Sequence, residues 1–184
     1  MARTESNMLP LGTIAPDFTL PDTVSGKEMN LKALASKKAT VIMFICNHCP
    51  YVIHLNDELV KIANDYADKD VQFIAISSND VQNYPQDGPG LMKKHAADCG
   101  YPFPYLYDET QTVAKAYDAA CTPDFYIFDG DLKLVYRGRL DASRPNSDTP
   151  VTGEDLRKAL DNTLEMNTPL DIQSPSMGCN IKWK

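Results

Sequence analysis

Apolar and polar residues alternate along the chain in a way that predicts strands and helices in turn. Ala39 to Ile45 is an apolar run without polar alternation, which favours a central strand covered on both faces. From Pro50 to Asp70, apolar residues recur at three- and four-residue steps, which predicts an amphipathic helix. Val71 to Ser77 repeats the buried-strand pattern, and Asp124 to Leu140 has a strand–turn–strand pattern. The succession predicts an α/β domain with a mixed sheet.

The two ends of the chain depart from this alternation. Leu9 to Asn30 is punctuated by proline and glycine, which predicts a short hairpin ahead of the main fold. The C-terminal tail has no periodicity, yet it holds Trp183 and Ile181. Because such side chains are rarely left in water together, we expect the tail to dock in a groove. The expected organisation is one domain over 1–184, with a core over about 10–166 and a tail over 167–184 that packs on the core.

Composition and charge restrict the classes of partner. The formal net charge of −7 argues against nucleic acid and anionic membranes, which attract clustered Lys and Arg. The sequence shows no signal-peptide core and no apolar run near the roughly 18 residues that span a bilayer. The five cysteines lack the spacing of a secreted disulfide scaffold. We expect a cytoplasmic protein without cofactor, although a mature periplasmic protein without its leader would have a similar sequence.

Candidate chemistry centres on the segment Cys46-Asn47-His48-Cys49, where the apolar strand meets the predicted helix. Unpaired N–H groups at a helix N-terminus favour a thiolate. We therefore expect Cys46 at the helix cap, open to solvent, and Cys49 one turn further in and shielded. Cys46 would then attack a disulfide, and Cys49 would resolve the mixed disulfide. A protonated His48 beside the cap would lower the pKa of the thiol further.

Two other interpretations of this segment stay open. Two cysteines in a core helix can simply pack as small apolar side chains. Alternatively, Cys46, His48 and Cys49 can hold a metal ion, although no second ligand cluster follows at zinc-finger spacing. Either interpretation would make the chain a non-catalytic metal-binding or interaction module. We expect no metal.

The order of elements resembles the thioredoxin fold, with C-x-x-C opening the first core helix and Thr122-Pro123 where that fold keeps a cis-proline. The segments APDFTLP (15–21), TPDFYIFD (122–129) and YRGR (136–139) are similar to the redoxin branch, the AhpC/TSA peroxiredoxin-like families. The resemblance implies a central mixed β-sheet flanked by helices, with an N-terminal β-hairpin extension. A cis bond would turn the Thr122 backbone toward a docked peptide, so Thr122 and Pro123 are expected substrate-binding residues.

The chain departs from both branches of this superfamily near the cysteines. Peroxiredoxins carry P-x-x-x-T/S-x-x-C, and aligning Cys49 with their cysteine puts Cys46 and Ile42 at the Thr/Ser and Pro positions. The tryptophan of thioredoxins is Ile45 here, and their buried carboxylate is Thr40. The proton of Cys49 must then leave by another route, and the neighbouring imidazole or a water is our hypothesis.

The leading hypothesis from sequence is a thiol–disulfide oxidoreductase that cycles Cys46 and Cys49 between dithiol and disulfide. Its partners would be a protein or small-molecule disulfide, or a peroxide, and an unidentified thiol reductant. The alternative is a peroxiredoxin-like thiol peroxidase that uses one of these two cysteines, with the other or Cys179 as resolver. Cys121 is either a small apolar filler or a third thiol, and Arg139 lies either at the site or on the solvated surface.

Overall fold

The chain alternates strands and helices, as the sequence pattern predicts, in a computed structural model that describes residues 3–184. The strands are β1 (Arg3–Glu5), β2 (Thr19–Pro21), β3 (Glu28–Asn30), β4 (Ala39–Phe44), β5 (Val71–Ser77), β6 (Tyr105–Tyr107), β7 (Cys121–Thr122), β8 (Asp124–Asp129), β9 (Leu134–Gly138) and β10 (Met177–Asn180). The helices are α1 (Leu31–Leu34), α2 (Pro50–Ile53), α3 (Asn56–Asp65), α4 (Pro89–Cys99), α5 (Thr112–Ala116) and α6 (Glu154–Leu164). Within this described range, no helix is long and apolar enough to cross a membrane.

A five-stranded mixed sheet forms the centre, in the order β6-β5-β4-β8-β9. Strand β4 runs parallel to β5 and antiparallel to β8, and all six of its residues are buried. A strand with neighbours on both edges and cover on both faces needs a continuous apolar run, which is what its sequence supplies. The predicted central strand and mixed sheet are confirmed.

The core has two parts, one on each face of this sheet. Because successive strand residues point to opposite faces, Val41 and Met43 join the cluster that contains side chains of α2, α3, α4 and α6. Ile42 and Phe44 join the opposite cluster, with side chains of α1 and α5. The alternation within one strand thus orients both helical layers.

The amphipathic segment after Pro50 forms two helices, so the prediction of one continuous helix from Pro50 to Asp70 is wrong. The α-helix is interrupted by a turn at His54 and Leu55, between α2 and α3. There the Leu55 N–H donates to the carbonyl of Val52, three residues back, at 2.9 Å. Such a bond tightens the turn, as it does in 3₁₀ helices, and separates the two helices.

Both ends of the chain form strands. The predicted N-terminal hairpin is confirmed, since β2 pairs antiparallel with β3. The tail also contains a strand, β10, which its aperiodic sequence did not indicate, and this strand lies between β1 and β7. Ile181 is only 1% exposed, as expected for a docked tail, but Trp183 is 42% exposed, so the expectation that it would be covered is wrong.

Candidate active site

The cysteine segment connects the end of β4 to the start of α2, and Cys49 is the N-cap residue of that helix. The prediction that Cys46 occupies the cap and is open to solvent is wrong, because Cys46 lies three residues earlier and is 1% exposed. Pro50 explains the difference. Proline favours the first helical position, so the residue immediately before it becomes the cap.

Cys49 lies among several polar groups. The neighbouring Cys46 thiol, then the side chain and N–H of Cys179 and the N–H of Val52, favour its charged form. The Cys179 Sγ is 2.8 Å away, and the carbonyl oxygen of Thr122, at 3.2 Å, is the opposing contact. Despite burial, these groups together, led by Cys46, lower the pKa of Cys49 to about 5.

Cys46 has the opposite environment. The neighbouring Cys49 thiol, the burial of the side chain and the nearby Asp87 carboxylate raise its pKa well above the ordinary value. The hydroxyl of Thr122, 3.5 Å from the Cys46 Sγ, opposes them. These opposite directions favour Cys49 over Cys46 as the charged member of the pair, whereas the sequence assigned the attacking role to Cys46.

The Thr122–Pro123 peptide bond is cis, as expected from the resemblance. Thr122 contacts both cysteines, the hydroxyl facing Cys46 and the carbonyl facing Cys49. Its backbone is already paired, because Thr122 is in register with Cys179 of β10. The predicted site residues Cys46, Cys49, Thr122, Pro123 and Cys179 thus lie together in space.

His48 faces a buried carboxylate that sequence reasoning missed. Its Nδ1 lies 2.6 Å from Asp87 Oδ2, a contact that is not aligned as a hydrogen bond, and its ring stacks on Tyr84. Asp87 is fully buried and also accepts the Asn47 N–H at 2.9 Å and the Asn79 amide at 2.8 Å. Asp87 lies in the loop after β5, and parallel strands bring their carboxyl ends to one edge of a sheet. The predicted pairing of the two buried strands was therefore the feature that could have placed Asp87 near the cysteine segment.

The side chains that could hold a metal differ from the predicted set. Within the described chain, ligand atoms of Cys46, His48 and Asp87 lie within 4.8 Å of one another, whereas the sequence interpretation named Cys49 in place of Asp87. Both carboxylate oxygens of Asp87 already accept N–H donors. This use of Asp87 fits a role in holding the segment in place.

Two predicted residues remain, Cys121 near the sulfur atoms and Arg139, which does not contact them. Cys121 is buried, its Sγ lies 3.6 Å from the Pro123 carbonyl, and burial raises its pKa. These features suit a packed side chain. Arg139 is engaged elsewhere, its Nε donating to Asp155 at 2.6 Å.

A second buried carboxyl group, Asp124, directly follows Pro123. It accepts hydrogen bonds from the hydroxyls of Ser6, at 2.9 Å, and Tyr126, at 3.1 Å. Burial exceeds the effect of these donors and raises the pKa of Asp124 to about 7.

Comparison with known proteins places this geometry in context. A sequence model of the AhpC/TSA family matches residues 11–137. A crystal structure of an uncharacterized conserved protein from Geobacillus kaustophilus is 62% identical, with a TM-score of 0.98, over 100% of this chain and 97% of that one. A hypothetical protein from Sinorhizobium meliloti is 44% identical, with a TM-score of 0.96, over 98% of both chains. No curated protein matches the sequence.

More distant structures bear on the fold alone. A secreted disulfide oxidoreductase from Mycobacterium tuberculosis is 18% identical, with a TM-score of 0.60, over 78% of this chain and 94% of that one. Its likeness, with the mixed sheet and its helical layers, confirms the prediction of a thioredoxin-like α/β fold.

Proposed function

The chain belongs to the AhpC/TSA family, and we propose that it is a thiol–disulfide oxidoreductase that cycles Cys46 and Cys49 between dithiol and disulfide. The observation that carries the proposal is the polarised thiol pair at the start of α2. Both thiols are buried and both contact Thr122 at the cis Thr122–Pro123 bond, and their surroundings lower the pKa of Cys49 and raise that of Cys46. A thiolate is the attacking species in thiol–disulfide exchange, so the lowered pKa favours Cys49 as the nucleophile of the pair.

The reaction we propose begins at Cys49. Its thiolate attacks a substrate disulfide, forming a mixed disulfide and releasing one substrate thiolate. Cys46 then attacks the Cys49 sulfur, releases the second thiolate and leaves the Cys46–Cys49 disulfide. His48, whose ring nitrogen lies within 4.8 Å of the Cys46 sulfur, is positioned to take the Cys46 proton. An external thiol reductant, as expected from the sequence, restores the dithiol.

This order reverses the roles assigned from the sequence. The reversal follows from the contacts of Cys49, first with the Cys46 side chain and then with Cys179 and Val52, which together favour its charged form. Cys46 becomes the resolving thiol.

The peroxidase alternative has less support. The peroxiredoxin pattern places Thr or Ser where this chain has Cys46, and uses a later arginine to bind peroxide. Arg139, which the sequence placed either at the site or on the surface, is paired with Asp155 at 2.6 Å.

The test uses a small model disulfide and three serine variants. We expect Cys49→Ser to lose about a hundredfold or more in disulfide reduction, since no other thiol has a lowered pKa. Cys46→Ser should accumulate a mixed disulfide on Cys49, visible by mass spectrometry. Cys99→Ser is the matched control, because Cys99 contacts Asn56 and His95 away from the site, and it should keep full activity. Full activity in Cys49→Ser would refute the proposal, and faster consumption of hydrogen peroxide than of disulfide would favour the alternative.

A further inference from the structure

Strand β10 covers the backbone edge that lies beside the thiols. Cys179 is in register with Thr122, and Asn180 is in register with Cys121. On either side of these pairs, the Ile181 N–H donates to the Ala120 carbonyl at 3.1 Å, and the Ser176 hydroxyl donates to the Pro123 carbonyl at 2.6 Å. Backbone from residue 120 to residue 123 is thereby paired with the chain's own tail.

The fit of this strand depends on a glycine. A Cβ atom at Gly178 would overlap the carbonyl oxygen of Thr122, so the strand reaches its position because residue 178 has no side chain. The close approach also brings the neighbouring Cys179 Sγ to 2.8 Å from the Cys49 Sγ.

The residues that follow β10 hold it in place. Ile181 packs in the core cluster that contains Ile42 and Phe44. The Lys182 N–H donates to the Asn79 side chain at 2.8 Å, and the Lys182 carbonyl accepts from the Asp80 N–H at 2.8 Å. A strand with pairing along its length and a buried anchor after it is a permanent part of the fold.

We propose that β10 acts as a built-in docked strand. It closes the edge on which an extended protein substrate would pair, and it presents Cys179 to Cys49 as a tethered thiol. The site then accepts low-molecular-weight disulfides in preference to disulfides of folded proteins. Cys46, Cys49 and Cys179 are each at most 5% exposed, and a small disulfide needs a smaller opening than a protein does. This inference rests on the proposed disulfide-reducing function.

The tethered thiol adds an exchange step that needs no external oxidant. In the Cys46–Cys49 disulfide, the Cys179 sulfur attacks the Cys49 sulfur, forming a Cys49–Cys179 bond while the Cys46–Cys49 bond breaks. Cys46 leaves as a thiolate and takes up the proton that Cys179 loses, so the number of disulfides stays at one. The product is an oxidised form in which the tail is covalently joined to the helix cap.

The substrate claim is tested by comparing two disulfides, hydroxyethyl disulfide and insulin, with wild type, Gly178→Ala and Gly90→Ala. Gly178→Ala pushes β10 away from Thr122, whereas a Cβ at Gly90 meets no atom within 4 Å. We expect the ratio of insulin to small-disulfide rates to rise about tenfold in Gly178→Ala and to stay at the wild-type value in Gly90→Ala. A wild type that reduces insulin as fast as the small disulfide would overturn the claim, as would an unchanged ratio in folded Gly178→Ala.

The exchange step is tested without Gly178→Ala, so the folding of that variant does not affect the result. The protein is treated with one equivalent of small disulfide, and its disulfide bonds are then mapped. Acid quenching, alkylation and mass spectrometry should find a Cys49–Cys179 bridge with alkylated Cys46 in the wild type. Cys179→Ser should contain only the Cys46–Cys49 bridge. A wild type with the Cys46–Cys49 bridge alone overturns the exchange step and leaves the proposed function intact. Absence of any bridge at Cys49 would instead contradict the proposed function itself.

Discussion

Two segments meet at the thiols, and they are positioned in different ways. The segment from Cys46 to Pro50 is placed by its immediate neighbours, a buried strand before it and a helix that starts at Pro50. Strand β10 arrives from 130 residues further along the chain and is placed by pairing with β7 and β1. In our account the first segment supplies the reactive thiolate, and the second decides what can reach it. The reactivity of the thiol thus depends on residues close to it in the sequence, whereas substrate access to it depends on a strand that is distant in the sequence.

The largest expected effect concerns Asp124, which supports both segments because Ser6 bonds its carboxyl group and also bonds Ser176. Its pKa is about 7 when folded and 3.8 as the reference value. The folded state therefore binds more protons between these values, and the contribution to stability falls as pH rises through them. Relative to Asp124→Asn, we expect the wild-type free energy of unfolding to drop by about 4 kcal/mol between pH about 4 and about 8.

Urea unfolding of both proteins across this pH range measures the difference. Asp141 provides a control of opposite sign, because its hydrogen bonds from Ser143, Gly153 and Thr152 lower its pKa. Its contribution is present above the unfolded pKa and is lost as pH falls through the folded pKa. A difference between wild type and Asp124→Asn that does not vary with pH would show that folding does not raise the pKa of Asp124.

The next effect tests whether the tail is part of the core. Ile181 is 1% exposed, and truncating a buried isoleucine to alanine costs about 2–5 kcal/mol. We expect Ile181→Ala to lose about 3 kcal/mol in denaturant unfolding. Ile172, 87% exposed in the same tail, is the matched control, and Ile172→Ala should stay within about 0.5 kcal/mol of wild type. Equal effects of the two variants would mean that the tail is not anchored.

A smaller effect concerns the Asp87 carboxylate, which lies outside the cysteine segment but affects Cys46. The Asp87 charge raises the pKa of Cys46, so Asp87→Asn should lower it. We expect the pH profile of Cys46 alkylation to move to lower pH, so that labelling at a fixed pH below the midpoint is faster. Site-resolved mass spectrometry after timed iodoacetamide labelling measures it. Asp57→Asn, at an exposed position on α3, should leave the profile in place. A shift to higher pH in Asp87→Asn would contradict the assigned role of the carboxylate.

The smallest effect lies at the end of the tail. Trp183 is 42% exposed, and its ring lies 5.7 Å from the Lys115 ammonium. A partly solvated contact of this kind contributes about 0.5–1 kcal/mol. Trp183→Ala should therefore change the free energy of unfolding by less than Ile181→Ala does, and a larger loss would show that the anchor is Trp183.

The difference between local and long-range placement also explains which features could be predicted from the sequence. The run from Ala39 to Ile45 and the cysteines after it follow from local pattern, and the structure places them as a central strand and a helix start. The cap was misassigned to Cys46, although Pro50 carried the signal that the helix begins after Cys49.

Features that depend on contacts between distant parts of the chain could not be predicted from local sequence patterns. Strand β10 has no pattern of its own, because a four-residue strand that contains Gly178 is defined by its partners. Asp87 lies in a loop rich in proline and glycine, where nothing local shows that the carboxylate turns inward. The start of α6 also depends on a residue outside the helix. Gly153 is the cap residue, and the N–H groups of Thr152 and Gly153 donate to Asp141, which is distant in sequence.

The most direct test of the central claim is a redox titration with site-resolved detection. The protein is equilibrated in dithiothreitol redox buffers of graded potential, quenched in acid and alkylated, and each cysteine is quantified by mass spectrometry. We predict a single two-electron transition that removes two thiols per chain, Cys49 always among them, with Cys46 or Cys179 as its partner. Cys99 and Cys121 should stay alkylated throughout. A Cys49 that remains alkylated at every potential would contradict the account.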